Sequence, residues 1–421
     1  MNRNLAVILY GPPAAGKDTV TAELIGQSGS RFRHYRRLKI GPGRSAGYRM
    51  ASADTLKELA AADEVIYSNQ RYNATYVIDR PELMSMLAAG DIPVLHVGQP
   101  EAIDAILGAA PSTCWVVVEL WCPREIAGER IIARGTGDTA ERLAAWEATP
   151  RLTLADLRID TSATEPATAA QQIVEAARSA GCTIVVPALH LVREDGGLDL
   201  VATRRYAEAA SSSWTDFFLL NGSTSSGHLL TPDERTAVLD VWLNAVETNR
   251  LLACAWSADD FHAAADRHIT PMAAMTAPDH ATAQRLLEEL PTGATVYSHP
   301  TLLGYPFTPD LAVWAEKTGH LPAGGKLAKV QLKEINRLRA AAPGFAIWDG
   351  SSRHIRESIN AGAAGVVATP LTAMLADLPP RALSLLQPAI DAVQGELDQL
   401  PDRADKRRWL LDQITSFALF S

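Results

Sequence analysis

The chain has 421 residues, of which 47% are hydrophobic and 21% charged, and its formal net charge is −9. These values exclude a disordered chain, and no uninterrupted apolar stretch is long enough to cross a bilayer, so no membrane partner is expected. The length exceeds what one hydrophobic core serves, which predicts two domains, and the acidic balance argues against nucleic acid as a general partner.

Taken in order, Leu5 to Leu9 reads as a buried strand and the pattern Val20, Leu24, Ile25 as a helix. Between them stands Gly11-Pro12-Pro13-Ala14-Ala15-Gly16-Lys17-Asp18-Thr19. A glycine-rich loop between a strand and a helix turns backbone N–H groups toward phosphate oxygens, aided by the positive end of the helix dipole, while Lys17 reaches the terminal phosphates. ATP is the expected cofactor, held by Gly11, Pro12, Ala14, Ala15, Gly16, Lys17, Asp18 and Thr19. Asp18 occupies the position where a Ser or Thr hydroxyl normally meets Mg²⁺. Either its carboxylate holds the metal through water or Thr19 substitutes. The start Met1-Asn2-Arg3-Asn4 leads directly into this strand, which predicts no signal peptide and a cytoplasmic location. Cys114, Cys122, Cys182 and Cys254 lack zinc spacing and read as reduced, structural thiols.

A basic stretch follows, with Arg31, Arg33, Arg36, Arg37, Lys39, Arg44 and Arg49, and with Tyr35 and Tyr48 among them. It reads as a polar loop in mid-domain. Gly41, Gly43 and Gly47 mimic part of a dinucleotide fingerprint, but that fingerprint must follow a first strand and open a helix. Two functional readings remain, contact with a nucleic acid or a clamp on the phosphate or carboxylate of a small acceptor, beside the plain reading of a solvated loop. Ile92 to Val97 and Trp115 to Leu120 read as strands. Their alternation with helical stretches such as Pro81 to Ala89 predicts a parallel sheet. Arg130 and Arg134 are four apart and share a helix face, with Arg142 beyond. That suits a lid over transferring phosphates, whereas Glu129 and Glu141 nearby allow a solvated, ion-paired face instead.

On these motifs, residues 4 to 180 resemble the guanylate kinase group of P-loop kinases, and the Gly-Lys-Asp loop resembles its ribose 1,5-bisphosphate phosphokinase branch. The acceptor pattern Arg-x-x-Arg-x-Gly followed by Tyr is echoed by Arg36, Lys39, Gly41 and Tyr48, and a later tyrosine by Tyr72. The lid pattern is kept at Arg130, Arg134, Gly135 and Thr136. The resemblance implies that Lys17, Arg130 and Arg134 serve phosphoryl transfer, and that Arg36, Lys39, Tyr48, Tyr72 and Arg142 serve the acceptor. Departures fall on the acceptor. Pro42 replaces the glutamate that reads guanine, and Gly98 or Gln99 stands for the family's Asp. Without those acceptors the selection for guanine is lost, which points away from GMP and toward another phosphorylated or acidic small molecule.

Thr164 to Thr168 is a small-residue connection and Ala169 to Ala180 a closing helix, broken at Gly181. The expected domains are 1–181 and 182–421. In the second, apolar strands recur near 184–186, 217–220, 251–255, 269, 295–297, 323–326, 345–348 and 365–368, each followed by a loop and a helical segment. Eight such units predict a (β/α)₈ TIM barrel with its chemistry at the C-terminal strand ends. Those ends carry Ser223 and Thr224 in Gly222-Ser223-Thr224-Ser225-Ser226, Tyr297 in Tyr297-Ser298-His299-Pro300, and Lys326. A partly desolvated lysine there can attack a carbonyl to give a Schiff base, Tyr297 can relay protons, and Ser223 and Thr224 can hold the carboxylate of a 2-oxo acid. A surface lysine, a core tyrosine and a plain turn are the corresponding structural readings.

Their joint placement resembles the dihydrodipicolinate synthase and N-acetylneuraminate lyase family of class I aldolases over most of residues 183 to 400. The correspondence runs through Asp195-Gly196, Leu198-Asp199, Gly222-Ser223-Thr224, Thr231 to Arg235, Thr270-Pro271, Tyr297-x-x-Pro300 and Gly324-x-Lys326. It implies a pyruvate imine on Lys326 and a proton relay through Tyr297. Ser225-Ser226 replaces the family's Gly-Glu, and Leu302 stands where synthases place an arginine for the second substrate's carboxylate. Aspartate semialdehyde is therefore not the expected acceptor. The tail, Arg381 to Phe420, is helical in pattern, suited to packing on the barrel or to an oligomer contact. The whole reads as a bifunctional enzyme, an ATP- and Mg²⁺-dependent small-molecule kinase fused to a Schiff-base lyase or aldolase. One working half beside a scaffolding half, or a nucleic-acid-binding ATPase, are the alternatives.

Overall fold

The computed structural model describes residues 4–27, 29–43, 45–71, 73–135 and 137–418. It divides into two compact units, Met1–Gly181 with Pro379–Leu386, and Cys182–Leu378 with Gln387–Ser421. The expected boundary at 181/182 therefore differs in one segment. Residues 379–386 belong with the first unit because the Trp115 N–H donates to the Arg381 carbonyl at 2.8 Å and the Ser384 N–H to Asp156 Oδ1 at 2.6 Å.

The first unit holds strands β1 (Leu5–Tyr10), β2 (Phe32–His34), β3 (Leu38–Ile40), β4 (Arg49–Met50), β5 (Val65–Arg71), β6 (Ala74–Asp79), β7 (Ile92–Val97), β8 (Cys114–Trp121) and β9 (Leu157–Asp160). Five of them form a parallel sheet in the order β2-β7-β1-β8-β9. Both faces are covered, which is why β1 and β8 are almost continuously apolar. Alternate residues feed two cores, Val7, Leu9, Val116 and Val118 on one face, and Ala6, Ile8, Trp115 and Val117 on the other. The chain leaves β1 toward β2 but leaves β7 toward β8, on the far side of β1. The carboxyl ends of β1 and β7 thus flank a switch point, the place where open α/β sheets bind ligands. The basic stretch expected as a mid-domain loop instead supplies β2, β3 and β4, and the last two join a second sheet, β4-β3-β6-β5. Its polar sequence hid these strands because one face of that sheet carries cations rather than an apolar core.

The second unit is a closed barrel of eight parallel strands: β10 (Thr183–Pro187), β11 (Phe217–Leu220), β12 (Leu251–Ala255), β13 (Thr270–Ala274), β14 (Thr295–Ser298), β15 (Gly324–Leu327), β16 (Ala346–Asp349) and β17 (Gly365–Val367). Helices alternate with them, the TIM-barrel architecture that the strand recurrence predicts. The barrel is filled by Val185, Leu219, Cys254, Met272, Tyr297, Trp348 and Val367. Helix Pro232–Leu243 starts in a capping box between Thr231 and Glu234, a signal legible in Thr-Pro-Asp-Glu. No described helix is long and apolar enough to cross a membrane. All four cysteines are buried.

Candidate functional site

Two cavities gather the residues that sequence singled out, one in each unit. In the barrel, strand register sets Lys326 level with Tyr297 on β14 and Trp348 on β16. Lys326 is 5% exposed and its Nζ stands 4.6 Å from the centre of the Tyr297 ring. Burial lowers its ammonium to about 8, opposed by the nearby Cys254 sulfur and reinforced by the Arg403 guanidinium. Tyr297 Oη and Ser223 Oγ are 2.7 Å apart, so the two hydroxyls form a relay. Burial raises the tyrosine to about 12, which keeps it a proton donor at neutral pH.

Ser223 and Thr224 reach this cavity because their loop doubles back on β11. Gly227 permits the turn, since a Cβ there would meet the Asn221 carbonyl oxygen at 2.1 Å. The Ser225 hydroxyl spans the turn to the Gly222 carbonyl at 2.9 Å. The cavity has a volume of about 520 Å³ and brings Ser223, Thr224, Tyr297 and Lys326 together. His299 also lines it, held neutral at neutral pH because burial lowers its pKa to about 4. Sequence reading passed over His299, although it lies within the quoted Tyr-Ser-His-Pro run. The tail, expected to be helical and suited to packing or an oligomer contact, does form the helix Arg403–Ala418, but the sequence did not point to its contribution of Arg403, Lys406, Arg407 and Leu410 to the cavity.

In the first unit, a cavity of about 490 Å³ lies at the carboxyl ends of β1 and β7. Its floor is the glycine-rich loop. Gly11 has φ +155°, and a Cβ there would meet the Leu120 carbonyl oxygen at 2.2 Å. Helix Lys17–Gly26 begins at Gly16 with no side-chain cap, leaving its first N–H groups to a ligand. Lys17 Nζ donates to the carbonyls of Gly11 at 2.5 Å and Pro12 at 2.9 Å, and burial lowers its pKa to about 7. Gly11, Ala14, Ala15, Gly16, Lys17 and Asp18 line the cavity, while Pro12 contributes only its carbonyl to Lys17. Asp18 sits 3.5 Å from His96 Nδ1, and His96 Nε2 lies 2.7 Å from Thr21 Oγ1.

Lys39, Tyr48, Arg134 and Arg142 line the same cavity. Lys39 is 3% exposed, with Nζ 5.7 Å and 5.9 Å from the ring centres of Tyr48 and Tyr76. Three expectations need correction. Arg36 is exposed and outside the lining, and Arg37 takes its place, because Arg37 and Lys39 are two apart and fall on one side of the extended chain. Arg130 does not accompany Arg134 into the cavity. It donates to the Ala14 carbonyl at 3.1 Å and to Thr161 Oγ1 and O at 3.0 and 2.7 Å, holding the loop from behind. Thr19 is exposed and outside the lining, which leaves Asp18 as the Mg²⁺ candidate. Tyr72 and Thr136, expected at the acceptor site and the lid, lie outside the described residues. Arg71, Asn69, Tyr76 and Gln99 are lining residues that sequence reading did not assign, apart from Gln99 as a departure from a pattern. Pro42 and Gly98 also line the cavity.

The uncapped helix start, the close loop backbone and the surrounding cations fit a polyphosphate. Among the described residues there is no group of three His, Cys, Asp or Glu side chains that could hold a metal by protein ligands alone. A Mg²⁺ bound largely by phosphate and water needs no such group.

No family model matches the chain, and no curated protein does. Solved structures do. A variant of the 2-keto-3-deoxygluconate aldolase of Sulfolobus solfataricus matches with a TM-score of 0.45 at 18% identity, over 56% of this chain and 86% of its own. The dihydrodipicolinate synthase of Agrobacterium tumefaciens matches with a TM-score of 0.45 at 15% identity, over 56% of this chain and 98% of its own. That of Aquifex aeolicus has a TM-score of 0.42 at 14% identity, over 56% and 82%.

Proposed function

We propose that the chain is a bifunctional enzyme whose barrel is a Schiff-base lyase or aldolase acting on a 2-oxo acid such as pyruvate. One observation carries the reading: a lysine 5% exposed at the C-terminal end of a barrel strand, beside a tyrosine whose hydroxyl contacts Ser223 at 2.7 Å. The neutral Lys326 amine attacks the ketone carbon, and the carbinolamine loses water to leave an iminium. In the cleavage direction the C4 hydroxyl gives up its proton to the Tyr297–Ser223 relay, the C3–C4 bond breaks and an aldehyde leaves, while the electron pair of that bond forms the C2–C3 double bond of an enamine; protonation at C3 and hydrolysis then return pyruvate and the free amine. Tyr297 donates and recovers protons through Ser223, and the Thr224 hydroxyl with the loop N–H groups donates to the substrate carboxylate.

For the first unit, the reading is ATP-dependent phosphoryl transfer to a small phosphorylated or acidic acceptor other than GMP. ATP would be held by the 11–18 loop and Lys17 with Mg²⁺ at Asp18, and it supplies the transferred group. Arg37, Lys39 and Arg71 face the cavity where an anionic acceptor would lie, with Arg134 and Arg142 placed to neutralise charge on the phosphates.

Borohydride trapping with pyruvate, followed by intact mass and peptide mapping, tests the barrel. A reduced adduct on Lys326, absent in Lys326→Ala, is the expected result. No adduct with pyruvate or a panel of 2-oxo acids would overturn the lyase reading. ATP turnover that depends on a small acidic acceptor tests the first unit, and salt-sensitive oligonucleotide binding without such turnover would favour the nucleic-acid ATPase instead.

A further inference from the structure

The barrel cavity holds more positive charge than an imine with pyruvate needs. Lys326, Lys329, Arg353, Arg403, Lys406 and Arg407 all line it, and among the described residues no Asp or Glu does. This occurs in a chain with a net charge of −9. Half of these cations come from the last helix. Arg403, Lys406, Arg407, Leu410 and Ile414 recur at the spacing of one helix face, and Leu410 and Ile414 are 1% and 0% exposed. The helix packs against the Thr369–Met374 turn and helix Leu200–Ser211. An amphipathic helix normally keeps its cations on the outer face. Here they occupy the first two turns of the inner one.

Their partners show what is missing. Arg353 is paired with Asp398 at 2.6 Å, and Arg408, off that face, with Asp405 at 3.0 Å. Arg407 is partly desolvated. Its Nη2 lies 3.2 Å from His190 Nε2, a buried and neutral ring, and its Nε has no hydrogen-bond partner. Among the described residues no ion pair joins Arg403 or Lys406 to a carboxylate; Lys406 acts on Asp398 only as a nearby charge that helps lower its carboxyl, and Lys329 Nζ donates to the Thr301 hydroxyl at 3.1 Å. Cations gathered in a concave site without an acid repel one another unless an anion joins them. The volume of about 520 Å³ leaves room for far more than a three-carbon acid.

We propose that Arg403, Lys406 and Arg407, with Lys329, bind a phosphate group at the far end of the substrate, so that the barrel acts on a phosphorylated 2-oxo acid. This rests on the Schiff-base reading of Lys326. A phosphate brings close to two negative charges and three acceptor oxygens, which suits several separate cations better than one carboxylate would. Phosphoryl transfer is the class of reaction that must supply such a substrate, and it is the class proposed for the first unit.

The test is borohydride trapping on the full chain with three probes: pyruvate, 2-keto-3-deoxygluconate, and its 6-phosphate, the last two a matched pair differing in the phosphate alone. The 6-phosphate should half-saturate Lys326 at a concentration about tenfold or more below that of the unphosphorylated acid, as one or two charge-assisted hydrogen bonds provide. In Arg403→Ala/Lys406→Ala that ratio should fall toward one, and the charge-keeping Arg403→Lys should retain most of it. Equal half-saturation by the pair, a preference that survives in the double variant, or reaction with pyruvate and with neither six-carbon acid would overturn the proposal. Failure of all three probes to trap on Lys326 would overturn the lyase reading instead.

Discussion

Each unit places one lysine of lowered pKa at the carboxyl end of a parallel strand or just past it, and the two are perturbed alike. Lys17 is lowered to about 7 and Lys326 to about 8, both chiefly by desolvation. The surroundings differ. Lys17 aims its ammonium at two backbone carbonyls, beside N–H groups that await an anion. Lys326 sits against the face of Tyr297, with a buried thiol near it. The same loss of solvent therefore serves opposite ends. At Lys17 it leaves a group that regains its charge when phosphate arrives, whereas at Lys326 it leaves a neutral amine ready to attack carbon.

The sharpest way to break this comparison is to exchange which lysine is lost. Lys326→Ala should abolish the pyruvate adduct outright. Lys17→Ala should leave the adduct forming while acceptor-dependent ATP turnover falls by about 10²- to 10³-fold, the usual loss of one preorganised cationic donor. Peptide-mapped adduct yield and ATP turnover, measured on each variant, check both halves of the statement. An adduct that disappears in Lys17→Ala would mean that the two sites are not separable.

Tyr297→Phe comes next. It keeps the ring beside Lys326 and removes only the hydroxyl that meets Ser223. The borohydride adduct should still form, while carbon–carbon cleavage or condensation turnover drops by about 10²- to 10⁴-fold, the range for a lost general acid–base. Equal losses in adduct and turnover would reassign Tyr297 from proton transfer to packing.

How legibly sequence reported the two sites follows from the same contrast. The Gly11–Thr19 loop and the Tyr297 and Lys326 strand ends are local signals, since a few neighbouring residues fix both backbone and chemistry. The barrel's eight strands were legible because buried parallel strands are continuous apolar runs, and even the weak one near Ile269 appears as Thr270–Ala274. The residues that were missed are those whose role depends on tertiary packing. Arg36 and Arg37 are neighbours in a basic run, and only the register of β3 decides which one faces the cavity. Arg130 and Arg134 share a face in isolation, but Thr161 draws the first away. Arg403, Lys406 and Arg407 lie far along the chain from Lys326, and nothing local connects a charged helix near the C-terminus with a barrel mouth.

The pH dependence of trapping separates Lys326 from an ordinary lysine. Imine formation needs the neutral amine, so its rate should rise with pH through a midpoint near 8 rather than near the ordinary lysine value of 10.5. Near pH 7.5 the neutral fraction is then about 200-fold larger than for an exposed lysine. Removing the guanidinium in Arg403→Ala relieves a repulsion and should move the midpoint upward. A midpoint near 10 in the native chain would show Lys326 to be solvated and would remove the basis of its nucleophilic role.

The smallest effect is the proton that Lys17 exchanges with its ligand. Free Lys17, at about 7, is mostly neutral near pH 8, and mostly charged near pH 6. Bound phosphates stabilise the ammonium and raise its pKa. ATP binding should therefore take up close to one proton on this group near pH 8 and almost none near pH 6. Calorimetry in buffers of different ionisation enthalpy measures that difference. Lys17→Arg provides the control, because a guanidinium is charged throughout this range and has no proton to gain. If uptake near pH 8 is the same in both proteins, the proton belongs to the nucleotide or to another side chain, and the likeness between Lys17 and Lys326 fails at Lys17.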